Sequence, residues 1–244
     1  MCIIDYKNKF IYIAIPKTGS QSTETYLKKL HEKKCTCIGC THKYDGTPEP
    51  DLLHDLNLCP HIGGCRKISI RNKEGIPKQK LCKHSTALEI KNAIPEYDEF
   101  TKITTIRNPF DWYVSWWSYS KGKPNGWSST RKTLYNFEEW LELATKNKQS
   151  RYNNFWLQDM INWLVDENKN LIVDKIFYYE NLEKEYVTFF NKFNFCNYFP
   201  KINTSEKRKD LKYNKFHNKK TKKIVEKKQK ETLKYFKYNF CSFA

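Results

Sequence analysis

From Phe10 to Ile15 the chain is almost continuously apolar, then breaks at Pro16 into Lys17, Thr18, Gly19 and Ser20. A run without polar alternation predicts a strand covered on both faces, as in a parallel sheet. Helical spacing follows from about Ser22 to His31, with Tyr26, Leu27 and Leu30 on one face. Residues 32–80 show no period and carry Gly, Pro, Cys and His, so they read as an insertion or long loop, and Leu81-Cys82 as a short strand. Periodicity returns from Thr86 to Ile94, where Thr86 and Glu89 are spaced as a capping box, Ala87, Ile90 and Ile94 share a face, and Pro95 is the stop. A second buried strand, Thr101 to Ile106, runs into Arg107 and Asn108-Pro109, a cap followed by proline at the first helical position.

Further along, Phe137 to Leu143 and Phe155 to Val165 are helical by spacing, Ile172 to Tyr178 is a third buried strand, and a helix runs from Glu180-Asn-Leu182 to about Phe193. A last helix, Asn218 to Tyr238, has a thin apolar stripe of Ile224, Val225, Leu233 and Phe236 beneath a dense lysine face. Trp116, Trp117, Trp156 and Trp163 sit at helical positions and read as core. Two strand-loop-helix units imply right-handed parallel crossovers. The expected fold is therefore α/β, a single domain with a parallel sheet flanked by helices.

Charge adds a partner class. The formal net charge is +17, and residues 201–244 hold 15 Lys or Arg against 4 Asp or Glu, so this segment supplies +11 of it. Such an excess fits a nucleotide, a sulfated or uronic-acid polysaccharide, or nucleic acid; surface lysine inflated by composition is the alternative. No apolar run reaches the roughly 18 residues of a membrane span, and Met1 to Phe10 lacks the layout of a signal peptide, so the expectation is a soluble, cytoplasmic protein. Five of the nine cysteines lie between residues 35 and 65. In a reducing compartment they are more often free or metal-bound than paired.

Both buried strands end in anion-binding chemistry. After the first, Gly19 permits a tight turn, the amides at the following helix N-terminus point at a ligand, and Lys17 adds a point charge. A Walker A loop would need Gly-x4-Gly-Lys-Ser/Thr, and here Lys17 precedes Gly19, so that loop is absent. After the second, Arg107 closes the strand and Ser115 lies two turns into the helix, so the two side chains can hold one anion from two sides. A structural salt bridge at the strand end is the other reading of Arg107.

Here the chain resembles the PAPS-dependent sulfotransferases, in their carbohydrate (Golgi-like, bacterial and viral) branch. The likeness extends in order through Lys83 to Ala87, Ile106 to Ser115, Tyr179-Glu-Asn-Leu182, Pro200-x-x-Asn203-x-Ser205 and Tyr235 to Phe240. It covers most of the chain except residues 32–80. The resemblance implies a P-loop-nucleotide-kinase-like fold and sulfuryl transfer from PAPS to a hydroxyl, with a carbohydrate as acceptor and PAP as product. It implies that Lys17 stabilises the leaving group and that the amides of Thr18, Gly19, Ser20, Gln21 and Ser22 hold the 5′-phosphate. Arg107 and Ser115 then take the 3′-phosphate, and Lys207 or Arg208 belongs to a basic loop that closes over the nucleotide. His84 precedes a capped helix and titrates near neutrality, which suits a general base, with Glu24 or Glu89 as fallbacks.

Within the insertion, Cys35, Cys37, Cys40 and His42 with Cys59, His61 and Cys65 offer soft ligands for a structural zinc ion, although their spacing matches no familiar finger; free thiols are the alternative. By location the insertion forms part of the acceptor side. Two other functions stay open at this stage: a nucleotide-kinase-like phosphotransferase, and a nucleic-acid binder driven by the basic tail.

Overall fold

The computed structural model of the protein describes residues 2–5, 8–28, 53–55, 68–71, 77–81, 84–120, 135–146, 157–191, 198–202 and 212–242. Two compact units emerge, one formed by Met1–Ile106 with Trp163–Thr204 and the other by Arg107–Asn162 with Ser205–Ala244.

The first unit holds a sheet in the order β3 (Leu53–Asp55), β1 (Ile3–Asp5), β2 (Phe10–Ile13), β6 (Thr101–Ile106), β7 (Lys175–Tyr178). Strands β2, β6 and β7 are parallel, whereas β1 is antiparallel to both β2 and β3. The sheet is thus mixed, which corrects the expectation of a purely parallel one. Its cause is local, because the short link between β1 and β2 allows a hairpin but no parallel crossover. Buried Asp5 fixes that turn by accepting from the Asn8 backbone and side-chain amides, each at 2.8 Å. Strands β4 (Ile68–Arg71) and β5 (Pro77–Leu81) form a separate antiparallel pair.

Helix α1 (Ser20–Lys28) starts two residues earlier than its apolar face suggests, and α2 (Ala87–Ala93) has the expected Thr86–Glu89 capping box. Helix α5 (Leu182–Asn191) covers β7. Its Tyr186 and Phe190 meet Phe10, Tyr26, Phe177 and Phe199 in edge-on, tilted and stacked ring contacts, and these aromatic residues account for much of the unit's core. The helix expected over Phe155–Val165 is, among the described residues, a single 3-10 turn at Met160–Trp163. Asp166 ends it by accepting from the amides of Asn168 and Asn170, which turns the chain back so that Val165 bridges Leu171.

The second unit contains α3 (Pro109–Tyr119), α4 (Phe137–Lys146), α6 (Lys219–Lys228) and α7 (Lys230–Tyr235). The last two replace the one helix expected from Asn218 to Tyr238. At the break stands Gln229, fully buried: its Oε1 accepts from the Met160 amide at 3.0 Å, and its Nε2 donates to the Gln158 carbonyl at 2.9 Å. Asp159 caps α7 by accepting from the amides of Glu231 and Thr232, and burial raises its pKa. The buried stripe is accordingly Thr221, Val225, Gln229, Thr232 and Phe236, with Ile224 and Leu233 only half-buried. Of the tryptophans expected in the core, Trp116 and Trp163 are buried and Trp117 is half-buried; Trp156 lies outside the described residues.

His217 packs edge-on between Phe110 and Phe137. Burial pulls its pKa down to about 4, and Lys222 adds to the effect, while the Phe110 carbonyl and Asp111 oppose it. The folded chain therefore holds this imidazole neutral where the unfolded chain protonates it, so stability is complete above pH 6.5 and is lost as pH falls toward 4. The loss is expected to approach roughly 3 kcal/mol, read as a falling urea midpoint, and a His217→Gln variant should flatten that dependence.

Candidate functional site

Strand β2 delivers the chain to the loop expected from the sequence to hold an anion. Ala14 and Ile15 are still buried, then Lys17 adopts φ 66° and Gly19 φ 84° before α1 begins at Ser20. A left-handed lysine is a strained backbone choice. Thr18 stabilises the turn by donating its hydroxyl to the Ile15 carbonyl at 2.8 Å. Glycine is required at position 19 for two reasons, since besides its φ a Cβ there would lie 2.8 Å from Leu182 Cδ2 and 3.1 Å from Tyr179 Cδ2.

These contacts separate backbone from side-chain roles. The Thr18 hydroxyl turns inward, and Ser22 Oγ accepts from the Ile202 amide at 3.0 Å. Gln21 is exposed, Ser20 buried and Lys17 half-buried. The loop is therefore a tight turn into a helix N-terminus, where the first amides have no acceptor within the helix, with Lys17 beside it.

His84 belongs to the same unit and is 5% exposed. Its Nδ1 lies 2.8 Å from the Ala14 carbonyl, which can only accept, so Nδ1 carries the proton and Nε2 is the basic nitrogen of the neutral ring. The ring also meets Trp163 edge-on at 6.4 Å. The structure thus brings His84 to the strand exit three residues before Lys17. Of the fallback bases, Glu89 is committed to the α2 cap, where its Oε2 accepts from the Thr86 amide at 2.8 Å, which withdraws it; Glu24 is buried on α1.

In the second unit, Arg107 follows β6 directly and is 6% exposed. Its Nε donates to Asp111 Oδ2 at 2.6 Å, and Nη2 pairs with the same oxygen at 2.5 Å. The salt bridge left open by the sequence is therefore present. Asp111 and the buried Ser115 are four residues apart on α3 and share a face, so the pair ties the guanidinium to a residue of that face. Sequence reasoning missed Asp111, although the i,i+4 spacing from Arg107 was its signal.

Lys207 and Arg208 lie outside the described residues, as do the insertion's cysteines, His42 and His61. Among the described residues no cluster of His, Cys, Asp or Glu could hold a metal ion, and no helix is long and apolar enough to cross a membrane.

The strands before the two loops, β2 and β6, are adjacent and parallel, so both run toward the same edge of the sheet. The family model described as "Sulfotransferase family" matches residues 1–243, which includes both loops and His84. No curated protein and no solved structure matches the chain. A match over nearly the whole length, with a lysine cradle at the end of a buried strand, places the chain in the sulfotransferase family.

Proposed function

We propose that the chain transfers a sulfuryl group from PAPS to a hydroxyl of a carbohydrate acceptor and releases PAP, on a P-loop-nucleotide-kinase-like scaffold. The observation that carries this reading is His84 anchored through Nδ1 to Ala14, at the exit of the strand that feeds Lys17 and Gly19. The proposed base is thereby tied by one hydrogen bond to the exit of the strand that leads into the proposed cradle. Membership of the sulfotransferase family gives sulfuryl transfer in general.

In the proposed reaction the acceptor oxygen attacks sulfur and the bond from sulfur to the bridging oxygen of the 5′-phosphosulfate breaks. Negative charge gathers on PAP, where Lys17 and the amides of residues 18–22 stabilise it. The acceptor proton passes to Nε2 of His84. Sulfuryl transfer, like phosphoryl transfer, asks the protein mainly to position groups and stabilise charge. The 3′-phosphate distinguishes PAPS from ATP-like donors, and Arg107 with Ser115 is its assigned receptor.

Two measurements test this. Titration with PAP, ADP and a short DNA should give tight binding of PAP alone, and equal affinity for ADP and PAP would overturn the donor assignment. A transfer screen with labelled PAPS over glycans, tyrosine peptides and small alcohols identifies the acceptor. His84→Ala is expected to lower turnover by roughly 100- to 10,000-fold with PAP affinity unchanged, the range for a lost general base. Near-normal turnover in that variant would remove His84 from the mechanism.

A further inference from the structure

Asn108, next to Arg107, is fully buried and does more than cap α3. Its Oδ1 accepts from the Phe110 amide at 3.0 Å, the ordinary N-cap bond. Its Nδ2 lies 2.8 Å from the Ser242 carbonyl, 3.1 Å from the Asn239 carbonyl and 3.3 Å from the Tyr213 hydroxyl. Tyr213, also buried, donates its one hydroxyl proton to the Phe240 carbonyl at 2.6 Å, which leaves its oxygen to accept from Asn108. Asn108 therefore reaches the turn at 239–242 directly, and a second time through Tyr213, whose hydroxyl also lies 3.1 Å from the Ser242 carbonyl.

A second tie lies alongside. His217 Nε2 is 3.1 Å from the Phe110 carbonyl, so this nitrogen carries the proton, and Phe240 packs edge-on to Phe110, Tyr213 and His217. Lys222 Nζ stands 3.5 Å from the centre of the Phe240 ring. These bonds also account for asparagine at position 108: aspartate or serine would cap the helix equally well, but neither has a side-chain amide with two protons to donate.

We infer that Tyr213 is a positioning residue for Arg107. By fixing Asn108 against the 239–242 turn, it holds the backbone beside the α3 cap, and with it the aim of the neighbouring guanidinium. The inference rests on the assignment of Arg107 to the 3′-phosphate.

The test is Tyr213→Phe in the full chain, which keeps the ring and removes only the hydroxyl, titrated with PAP and with ADP. A roughly ten-fold loss of PAP affinity with ADP affinity unchanged is expected, about the worth of one well-placed hydrogen bond to the ordered loop. If wild type prefers PAP and the variant binds both nucleotides as wild type does, the inference is wrong and the donor assignment stands. Equal weakening for both nucleotides marks a general packing role and also overturns it. A wild-type chain that does not prefer PAP defeats the donor assignment and the inference together. Should Tyr213→Phe fail to fold, Asn108→Ser keeps a cap and removes the donor, and the same PAP-selective loss is expected of it.

Discussion

Lys17→Ala is expected to lower turnover by roughly 100- to 1,000-fold while weakening PAP binding far less, because the charge matters most as the leaving group becomes anionic. The backbone at this position complicates the experiment. Lys17 sits at φ 66°, where alanine keeps the left-handed strain of about 1 kcal/mol or more and glycine relieves it. Lys17→Gly therefore separates charge from strain: if charge is the cause, both variants lose turnover alike, and Lys17→Arg recovers part of it. Single-turnover rates with labelled PAPS, set beside PAP titrations, provide the readout. A Lys17→Ala chain that lost PAP affinity and turnover to the same degree would have lost a binding group and nothing specific to the transition state.

Arg107→Ala is expected to weaken PAP binding by about 100-fold and ADP binding hardly at all, within the range measured when one partner of a buried charge pair is removed. Part of that loss would come from Asp111, whose carboxylate is left with its pairing cation gone, beside the face assigned to the 3′-phosphate. The double variant Arg107→Ala/Asp111→Asn removes this repulsion and should bind PAP better than the single variant. If the two bind alike, Asp111 is remote from the phosphate, and the shared α3 face does not describe the receptor. Isothermal titration at two salt concentrations separates these outcomes, because a contact with a full anion weakens with ionic strength.

How much of this could be read from the chain depended on whether neighbours in sequence were also neighbours in space. The strand Thr101–Ile106, the cap at Asn108 with Pro109, and the box of Thr86 and Glu89 were legible because each is decided within a few residues. Strand β1 was not, since three residues are too few to show a period. The break at Gln229 was also hidden: nothing local disfavours a helix there, and bonds to Met160 and Gln158, about seventy positions away, impose it. At the site, Gly19 announced the turn, but the left-handed Lys17 and the tie from His84 to Ala14 did not. The ordered block at Tyr179 to Leu182 gained a physical meaning only in three dimensions, as the surface against which Gly19 is pressed.

That last contact bears on how the site comes into being. Gly19 and Tyr179 are 160 positions apart, so the cradle's supporting wall arrives only after β7 has joined β6 and α5 has begun. Contacts of such separation close late, once the entropy of a long loop has been overcome. A nascent chain that has emerged only as far as Arg107 carries every side chain of the lysine loop yet lacks the surface that shapes it. On the proposed donor assignment, nucleotide affinity at this loop is acquired with the completed sheet, and a bound nucleotide would stabilise the whole first unit rather than one turn of it.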